Sequence, residues 1–415
     1  MTEQVRDVLI VGAGPSGSIA SAILQRAGYD VLVLERESFP RFSIGESLLP
    51  QCMKYIREAG LLPAIEAVGF QRKNGALFLH QGTYGGFDFC EQFSRGDSET
   101  FQVQRAQFDK VLADEAENIG VDIRYQHEIT AIDITRANPE ITCKLPDGNT
   151  GKFSARFLLD ASGFGRVLPR FLNLEYPSEF PTRTAMFTHI EDNITDPNYD
   201  RNKILITIHP EYRDVWFWLI PFSDGRASIG VVAESAHFTN RQRHCTNALS
   251  DWIDDDPTLK ALLGNSSWDT EVRQITGYSA NVKQMAGRNY ALLGNAGEFL
   301  DPIFSSGVTI AMHSASLAAG LLIKQFKGEN VDWELEYAKP LSKGVDTFRA
   351  FVTAWYDGSF QDIIFHQRQS TEIRKMICSV LAGYAWDETN PYVQNPRKRL
   401  DTLSAYCKTN FSQNT

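Results

Sequence analysis

The chain has 415 residues, of which 43% are hydrophobic and 22% are charged. These proportions are ordinary for a globular protein, and the length suffices for two intertwined domains with a large core. The formal net charge is −10, from 41 basic and 51 acidic residues. Because binding to a phosphate backbone needs clustered lysine and arginine, this balance argues against a general nucleic-acid surface.

Cysteine usage and apolar runs indicate the compartment. The cysteines are scattered, with no C-x-x-C pair and no zinc spacing, which favours a reduced cytoplasmic location and no metal site. The first strand begins near Arg6, so we expect no signal peptide. No apolar run approaches the ~18–20 residues that span a bilayer, so we expect no membrane span. The cysteines are Cys52, Cys90, Cys143, Cys245, Cys378 and Cys407.

The N-terminal residues predict a strand–helix–strand unit. Residues 7–11 form a continuous apolar run, which is typical of a buried parallel strand. A glycine-rich turn follows, and then an alanine-rich helix over about 16–27 with Gly28 at its C-cap. Residues 31–34 predict the next buried strand, which ends in Glu35. This unit is typical of a parallel sheet covered by helices.

The rest of the chain alternates between sheet-like and helical patterns. Residues 61–101 and 182–232 contain alternating and aromatic runs typical of strands, and residues 108–118 predict a helix. Residues 290–293 predict another buried strand, with a helix over about 308–324 and a mainly helical end. We therefore expect an α/β fold with a sheet domain inserted into a discontinuous nucleotide-binding domain. The expected divisions are 1–60, 101–181 and 276–329 for nucleotide binding, 61–100 and 182–275 for the antiparallel substrate-binding sheet, and 330–415 for a C-terminal helical region.

The turn after the first strand has the sequence GAGPSG, a G-x-G-x-x-G element. Gly12 permits the tight turn, Gly14 lets a pyrophosphate approach the backbone, and Gly17 lets the helix pack on the strand. The helix N-terminus at Ser16 presents unpaired N–H groups to phosphates. Glu35, 18 residues beyond Gly17, can accept both ribose hydroxyl protons. The alternative is a purely structural glycine turn, and the element alone does not separate FAD from NAD.

Four later segments carry a family resemblance. FPR…GES at 39–47 resembles flavin-dependent halogenases and prenyl reductases. VQR…FD at 103–109, LDASG at 159–163 and LGNA…DP at 293–302 resemble motifs of the wider FAD-dependent monooxygenase superfamily. The resemblance implies a glutathione-reductase-type Rossmann domain with FAD as cofactor. Besides the glycine turn and Glu35, the residues it implies for FAD binding are Arg36, Arg41, Ser47, Arg105, Asp160, Gly163, Asn295, Asp301 and Gly307.

One position departs from the family pattern. Asn295 stands where the family usually has aspartate, but an amide oxygen still accepts a hydrogen bond from a ribityl hydroxyl, so we expect FAD binding to survive. For Asp160 and Asp301 the alternative is a turn or cap role. A flavoprotein with a degenerate site, used for binding rather than catalysis, is the matching non-enzymatic alternative.

Residues 216–221, WFWLIP, match the W-x-W-x-I-P pattern of flavin-dependent halogenases. Residues two apart in a strand share a face, so Trp216 and Trp218 would form one aromatic wall. The resemblance implies that this wall separates flavin from substrate, so that a diffusible oxidant is used. The alternative is aromatic packing in a core, and prenyl reductases carry a related segment.

Lys73 is the residue that we expect to carry the chemistry. It lies in KNGALF, which resembles the K-x-G-x-x-F segment of halogenases acting on phenols and pyrroles. An amine with a depressed pKa can hold electrophilic halogen, either by hydrogen bonding to hypohalous acid or as a haloamine, and a desolvated pocket lowers the pKa. The alternative is a solvated lysine that forms a basic surface patch with Arg72.

The segment FLDPIFSSG at 299–307 resembles the part of the family that borders halide and flavin. Backbone N–H groups of Ser306 and Gly307, which open the next helix, could bind chloride or bromide. The alternative is an N-cap at Ser305 or Ser306. Tryptophan halogenases carry glutamate where this chain has Phe304, so the resemblance favours a phenol or pyrrole over free tryptophan.

The expected function is a halogenase that uses reduced FAD, oxygen and halide, with a separate flavin reductase and an aromatic substrate that a carrier protein could tether. An aromatic hydroxylase and a prenyl reductase are the enzymatic alternatives. His313 and His366 have no metal-ligand company. Helically spaced aromatic residues in the C-terminal part have a core role by default, although any of them could line a substrate entrance. They are Phe348, Phe351, Trp355, Tyr356, Phe360 and Phe365.

Overall fold

The computed structural model describes residues 4–241, 248–366 and 370–411. Within these ranges the protein has a mixed α/β architecture with two large sheets and a helical C-terminal part. Cys245 and residues 412–415, the end of the expected C-terminal region, lie outside the described residues. The cysteines inside the described ranges are free thiols.

The described residues form nineteen β-strands. They are β1 (Arg6–Val11), β2 (Val31–Leu34), β3 (Gln71–Lys73), β4 (Gly75–His80), β5 (Thr83–Asp88), β6 (Thr100–Gln102), β7 (Asp122–Arg124), β8 (Glu128–Asp133), β9 (Glu140–Lys144), β10 (Thr150–Asp160), β11 (Glu175–Pro177), β12 (Arg183–Glu191), β13 (Lys203–Ile208), β14 (Trp216–Pro221), β15 (Arg226–Glu234), β16 (Arg273–Thr276), β17 (Ala280–Val282), β18 (Ala286–Gly287) and β19 (Tyr290–Leu292).

The same described ranges contain fourteen α-helices. They are α1 (Pro15–Arg26), α2 (Cys52–Ala59), α3 (Leu62–Val68), α4 (Arg105–Asn118), α5 (Val167–Phe171), α6 (Ser235–Arg241), α7 (Ala248–Ile253), α8 (Pro257–Leu262), α9 (Ser306–Phe326), α10 (Lys339–Tyr356), α11 (Ser359–Ile364), α12 (Thr371–Leu381), α13 (Pro391–Gln394) and α14 (Pro396–Phe411).

The first sheet has the strand order β18-β19-β10-β1-β2-β7, and all its neighbouring pairs except β18–β19 run parallel. Its central strands are almost entirely apolar, as expected for strands with both faces covered. The register sets Val11 beside Leu34 and Asp160, and Asp160 beside Leu292. The loops after these strands therefore leave the same carboxyl edge, where open α/β sheets bind ligands.

The helix α9 corrects one expectation from the sequence. It is 21 residues long and contains an 18-residue window with a mean hydropathy of 1.5, so it is long and apolar enough, by length and composition, to cross a membrane. The expectation that no apolar run approaches this length is therefore wrong. In the structure α9 packs against α1, and 61% of the apolar window is buried inside the protein, which is the position of a core helix.

The inserted sheet has the order β16-β12-β15-β14-β13-β4-β5 and is antiparallel except for the pair β13–β4. Its side chains alternate between two cores because successive residues point to opposite faces. Trp216 and Trp218 join the large core, whereas Phe217 and Leu219 join a smaller core with residues of α7 and α8. These helices interrupt the region expected to be sheet, because the second face of the sheet also has to be covered.

The C-terminal part is helical as far as Phe411 within the described residues. The helix α10 buries Phe348, Phe351 and Trp355 in the large core. It ends at Tyr356, close to the short 3₁₀ turn Pro302–Phe304 that precedes α9. The C-terminal region therefore contacts the same edge of the molecule as the loops of the parallel sheet.

Candidate active site

A cavity of about 710 Å³ opens at the carboxyl edge of the parallel sheet. One side is formed by the loops after β1, β2 and β10, and the other by residues of β13 and β14 in the inserted sheet. The residues expected from the sequence that line this cavity are Gly12, Gly14, Ser16, Glu35, Arg36, Arg41, Ser47, Arg105, Gly163, Trp216, Trp218, Asn295 and Gly307.

The glycine turn has the geometry that a dinucleotide needs. Gly12 has φ +95°, and a Cβ there would lie 2.7 Å from the carbonyl oxygen of Ala161. A Cβ on Gly17 would lie 1.9 Å from the carbonyl oxygen of Gly12, so this glycine packs the helix on the turn from behind the cavity wall. Gly14 lies at the N-terminus of α1, where backbone N–H groups remain free for phosphate oxygens.

Glu35 is anchored at the end of β2 by backbone groups. Its Oε2 accepts a hydrogen bond from the N–H of Ala13 at 2.8 Å, and its Oε1 accepts one from the N–H of Glu37 at 2.9 Å. The residue is 6% exposed and lines the cavity. A carboxylate has about four acceptor sites, so oxygens held in this way can still accept protons from a ribose.

Two arginines share one buried carboxylate beside the cavity. Arg105 donates from Nε and Nη2 to the two oxygens of Asp109 at 2.7 and 3.0 Å, and Arg41 donates to Asp109 at 3.2 Å. Arg105 also donates to the carbonyl oxygen of Ile44 at 2.6 Å, so it holds the loop that carries Ser47. Arg36, in contrast, is exposed on the rim and pairs with its neighbour in sequence.

Several groups on the wall fit a polar, flat cofactor. The hydroxyl of Ser47 is buried and has no hydrogen-bond partner among the residues that the structure describes. Gly307, in the first turn of α9, lies opposite Asn295: a Cβ on this glycine would be 3.7 Å from Asn295 Oδ1. An unpaired hydroxyl, an amide and a helix N-terminus around one cavity suit the ribityl and ring polar atoms of FAD.

Asp160 and Asp301 are not among the residues that line the cavity, and their expected part in FAD binding stays a prediction. Asp160 accepts hydrogen bonds from the N–H groups of Ser162 and Leu168 at 2.9 and 2.7 Å, and its burial raises its pKa. Asp301 accepts from the N–H of Ile303 at 3.1 Å. These are the turn and cap contacts that the sequence left open as alternatives, because an aspartate satisfies backbone donors two residues on.

The predicted aromatic wall faces the cavity. Trp216 and Trp218 both line it, with ring centroids 6.0 Å apart and ring planes at 49°. Trp218 donates from Nε1 to the hydroxyl of Ser228 at 3.0 Å. Its ring lies flat over Gly230, where a Cβ would come within 2.3 Å of the indole. Trp216 donates from Nε1 to the hydroxyl of Tyr356 at 3.0 Å.

Lys73 is buried but does not stand on the cavity wall. It ends β3, is 1% exposed, and its Nζ donates to the carbonyl oxygen of Leu48 at 2.9 Å and lies 5.5 Å from the centre of the Phe89 ring. Desolvation lowers its pKa to about 7. The amine therefore lies in apolar surroundings behind the 44–48 loop, and Ser47 of that loop lines the cavity.

The segment before α9 divides the two residues expected to hold halide. Gly307 lines the cavity, whereas Ser306 is buried behind it. Ser305 occupies the N-cap position with φ +56° and makes no side-chain capping bond. Phe304 is buried against the rings of Phe351, Trp355 and Phe360, so the position that resembles a glutamate site is filled by an aromatic cluster. Of the two residues expected to hold halide, Gly307 lines the cavity and Ser306 does not, and the halide site itself stays a prediction.

Sequence reasoning did not single out five residues that shape this site. Gly230 was detectable, because a glycine inside an apolar strand signals close approach of another group. Arg183, Tyr356 and the pair formed by His189 and Glu46 (2.7 Å between Nε2 and Oε1) were not, since their partners are distant in sequence. The Glu46 pair ties the 44–48 loop to β12 of the inserted sheet.

The fold and the cavity together define an FAD-dependent flavoprotein of the glutathione-reductase type. A family model described as "FAD binding domain" matches residues 6–342, and the chain belongs to that family, with FAD as its cofactor. The structure is similar to that of a flavoprotein/dehydrogenase from Cytophaga hutchinsonii, with a TM-score of 0.92 and 40% identity over 98% of this chain and all of that one.

Other relatives are named halogenases. The flavin-dependent brominase Bmp2 has a TM-score of 0.83 and 25% identity, covering 96% of this chain and all of that one. A tryptophan 2-halogenase from Chondromyces crocatus is 32% identical over 78% of this chain, which spans 62% of that protein. A 1H-pyrrole-2-carbonyl peptidyl-carrier-protein chlorinase from Pseudomonas fluorescens is 27% identical over 97% of this chain and 89% of that protein. These relatives include both tryptophan and pyrrole enzymes, so they do not separate the substrate classes.

Proposed function

We propose that the chain is a flavin-dependent halogenase that acts on an electron-rich aromatic and receives reduced flavin from a separate reductase. One observation carries the proposal: the indoles of Trp216 and Trp218 form a joint wall of the cavity lined by the FAD-binding residues. A wall of this kind keeps an aromatic substrate beyond β14 away from the cofactor. A small, diffusible oxidant then has to carry the reaction.

The residues of the chain hold the reactants in position. Gly12 and Glu35 hold the dinucleotide through its phosphates and ribose. When bound and reduced, FAD supplies the oxygen activation that converts halide into hypohalous acid. The backbone N–H of Gly307, in the first turn of a 21-residue helix, offers halide the positive end of the helix dipole.

The amine of Lys73 is the group that we propose to deliver halogen. With a pKa of about 7, a large fraction of this amine is the free base at neutral pH. A free amine and hypohalous acid form an N–halogen bond and release water, after which the aromatic carbon takes the halogen and the amine regains a proton. A hydrogen bond from the amine to hypohalous acid is the alternative form of delivery. Because Nζ lies behind the 44–48 loop, either form requires a passage past this loop.

A phenol or pyrrole, free or tethered to a carrier protein, is the substrate class that we infer. Phe304 packs among three other aromatic rings and leaves no carboxylate at the position where the resemblance to tryptophan halogenases calls for one. The pyrrole chlorinase relative, which acts on a carrier-bound substrate by its name, covers 97% of this chain. The choice over free tryptophan rests on the surroundings of Phe304, and the pyrrole chlorinase relative is compatible with it.

The experiment combines the purified protein with a flavin reductase, NADH, oxygen and bromide, and offers a phenol, a pyrrole and tryptophan in parallel. We expect a bromine isotope pattern in the product masses of the phenol or pyrrole. Lys73→Met should reduce that product by about 100-fold or more, in the range of a lost acid–base group, while FAD binding is unchanged. The exposed Lys152→Met is the matched control and should retain full activity.

Three results would contradict the proposal. Oxygenated product formed without halide would identify direct hydroxylation, and saturated lipid formed without oxygen would identify a prenyl reductase. Full halogenation by Lys73→Met would remove the lysine from the mechanism. A crystal grown with bromide adds an independent check, since anomalous signal is expected beside Gly307.

A further inference from the structure

A buried chain of hydrogen bonds links the aromatic wall to the C-terminal helices. Trp216 donates from Nε1 to the hydroxyl oxygen of Tyr356 at 3.0 Å, and Tyr356 donates to Asp301 Oδ2 at 3.0 Å. The direction is fixed by chemistry, because an indole N–H only donates and a tyrosine has one hydroxyl proton. Tyr356 therefore accepts from the Trp216 indole and donates to Asp301 at the same time.

Asp301 is surrounded on every side by groups that respond to its charge. Its Oδ1 accepts from Ile303, and the hydroxyl of Tyr278 donates to its Oδ2 at 3.5 Å. Burial raises its pKa to about 6, while the nearby guanidinium of Arg183 and the hydrogen bonds oppose that rise. The side chain is 2% exposed, so it has little water to solvate its charge.

Arg183 supplies the counter-charge without a hydrogen bond to the carboxylate. It is 4% exposed, and its guanidinium carbon lies 3.4 Å from the centre of the Tyr356 ring. Its Nε has no hydrogen-bond partner in the described part of the chain. The nearest carboxylate outside the chain of hydrogen bonds is Glu234, at 3.9 Å from Nη2. The guanidinium thus packs on the face of the tyrosine ring, and its positive charge stabilises the ionised form of Asp301 without a direct hydrogen bond.

We propose that Tyr356 is a positioning residue that orients the Trp216 indole in the cavity wall, and that the ionisation of Asp301 controls this orientation. Ionised Asp301 accepts the tyrosine proton and leaves the phenolic oxygen free for the indole. Protonated Asp301 carries a proton of its own on the same side, so the Tyr356 hydroxyl loses its acceptor and the chain rearranges. The consequence for catalysis rests on the proposed function, but the orientation itself does not.

The test measures the surroundings of the Trp216 indole by NMR. The sample is FAD-bound protein labelled with ¹⁵N at its seven tryptophans, and the measured quantity is the chemical shift of each indole N–H signal. The signal absent from Trp216→Phe identifies Trp216. In the wild type we expect this signal to shift with a midpoint near pH 6, the pKa of Asp301. Asp301→Asn should remove the pH dependence and hold the signal near its low-pH position, because the N–H of Ile303 keeps the amide oxygen and the amide NH₂ group, like the proton of neutral aspartate, faces the tyrosine hydroxyl. Tyr356→Phe should move the signal at every pH.

The control is Tyr392→Phe, which removes a hydroxyl from a buried tyrosine elsewhere in the C-terminal helices and should leave the signal unchanged. The same variants are then assayed for halogenated product per NADH consumed. We expect about a fivefold loss in Tyr356→Phe, the size of one lost hydrogen bond. We also expect the yield of the wild type to fall below about pH 6, towards the lower and pH-independent yield of Asp301→Asn.

The outcomes separate the two proposals. A Trp216 signal that neither titrates between pH 5 and 8 nor moves in Tyr356→Phe overturns the inference. If the Trp216 signal behaves as expected but no aromatic compound is halogenated, the positioning network is supported and the proposed function is contradicted. Halogenation with an unchanged yield in Tyr356→Phe overturns the catalytic half of the inference.

Discussion

At the scale of single residues, Lys73 is the least ordinary group in the molecule. It is a fully buried amine whose hydrogen bond goes to one carbonyl oxygen and not to a carboxylate. Desolvation dominates its surroundings and lowers its pKa from 10.5 to about 7. A charge without a carboxylate partner in such a place costs stability, so its retention is easier to understand as a requirement of chemistry than of folding.

We predict that Lys73→Met stabilises the protein at neutral pH. Between about pH 7 and 10 the unfolded chain keeps the lysine proton and the folded protein does not, so the wild type gains stability as pH rises through this window. The variant lacks this gain. Urea unfolding should show the variant more stable by on the order of 3 kcal/mol at pH 7, a difference that shrinks towards pH 10. Equal stabilities at pH 7 would mean that the amine is solvated.

The residue scale also shows where prediction from sequence succeeds. The glycine turn and Glu35 were predicted because their roles follow from neighbours within a few dozen residues. Tyr356 was one of six aromatic residues that the sequence could not rank. Its partners Trp216 and Asp301 lie 140 and 55 residues away, and no local pattern encodes such a hydrogen bond.

At the scale of elements, β14 and β15 show how a small residue on one strand leaves space for a large side chain on its neighbour. Trp218 and Gly230 are directly opposed across the two antiparallel strands, and the indole covers the backbone of the glycine. The alternation of residues predicts that Trp216 and Trp218 share a face. It does not say which large side chain needs an empty neighbour, because that depends on the register between strands.

We predict that Gly230→Ala displaces the Trp218 ring. A Cβ within 2.3 Å of the indole forces the ring or the strand to move, at a cost of about 1–3 kcal/mol in unfolding free energy. Gly320→Ala, in the interior of α9 with open space around it, is a control of opposite sign and should stabilise by about 0.5–1 kcal/mol. Denaturant unfolding of both variants checks this, and an unperturbed Gly230→Ala would refute the close contact.

At the scale of the whole molecule, the cavity is assembled from parts that fold far apart in sequence. The parallel sheet supplies one side and the inserted sheet the other, and the 44–48 loop is tied across the gap by Glu46 and His189. Because FAD binds the folded form and not the unfolded chain, it should stabilise all of these parts together.

We predict that FAD at about 100 times its dissociation constant raises the unfolding free energy by about 2.7 kcal/mol. Glu35→Ala should weaken FAD binding by about 30-fold, the size of a lost hydrogen bond to a charged group, and reduce this stabilisation at the same FAD concentration. Thermal unfolding with and without FAD measures both effects. The exposed Glu66→Ala, away from the cavity, is the control, and equal FAD effects in the two variants would exclude Glu35 from the ribose site.

The sequence by itself determined the class of fold, the cofactor and the aromatic strand of this protein. The fold class and the aromatic strand follow from short-range patterns: strand and helix periodicity, a glycine turn, and residues two apart on one strand. The choice of FAD over NAD came from the motif resemblance, because the glycine turn alone does not separate the two cofactors. The apolar length of α9 was misjudged, although it can be read from the sequence; that most of the helix is buried in the core is seen only in the structure.

Only the tertiary structure decided which of the residues predicted from the sequence reach the cavity. Lys73, Asp160, Asp301 and Ser306 lie behind its wall, and Tyr356 stands against it. The physical reason is that a wall is a property of packing between elements. Its members are selected by register, side-chain volume and the pairing of buried polar groups, and these quantities are defined only when the two sheets and the C-terminal helices meet.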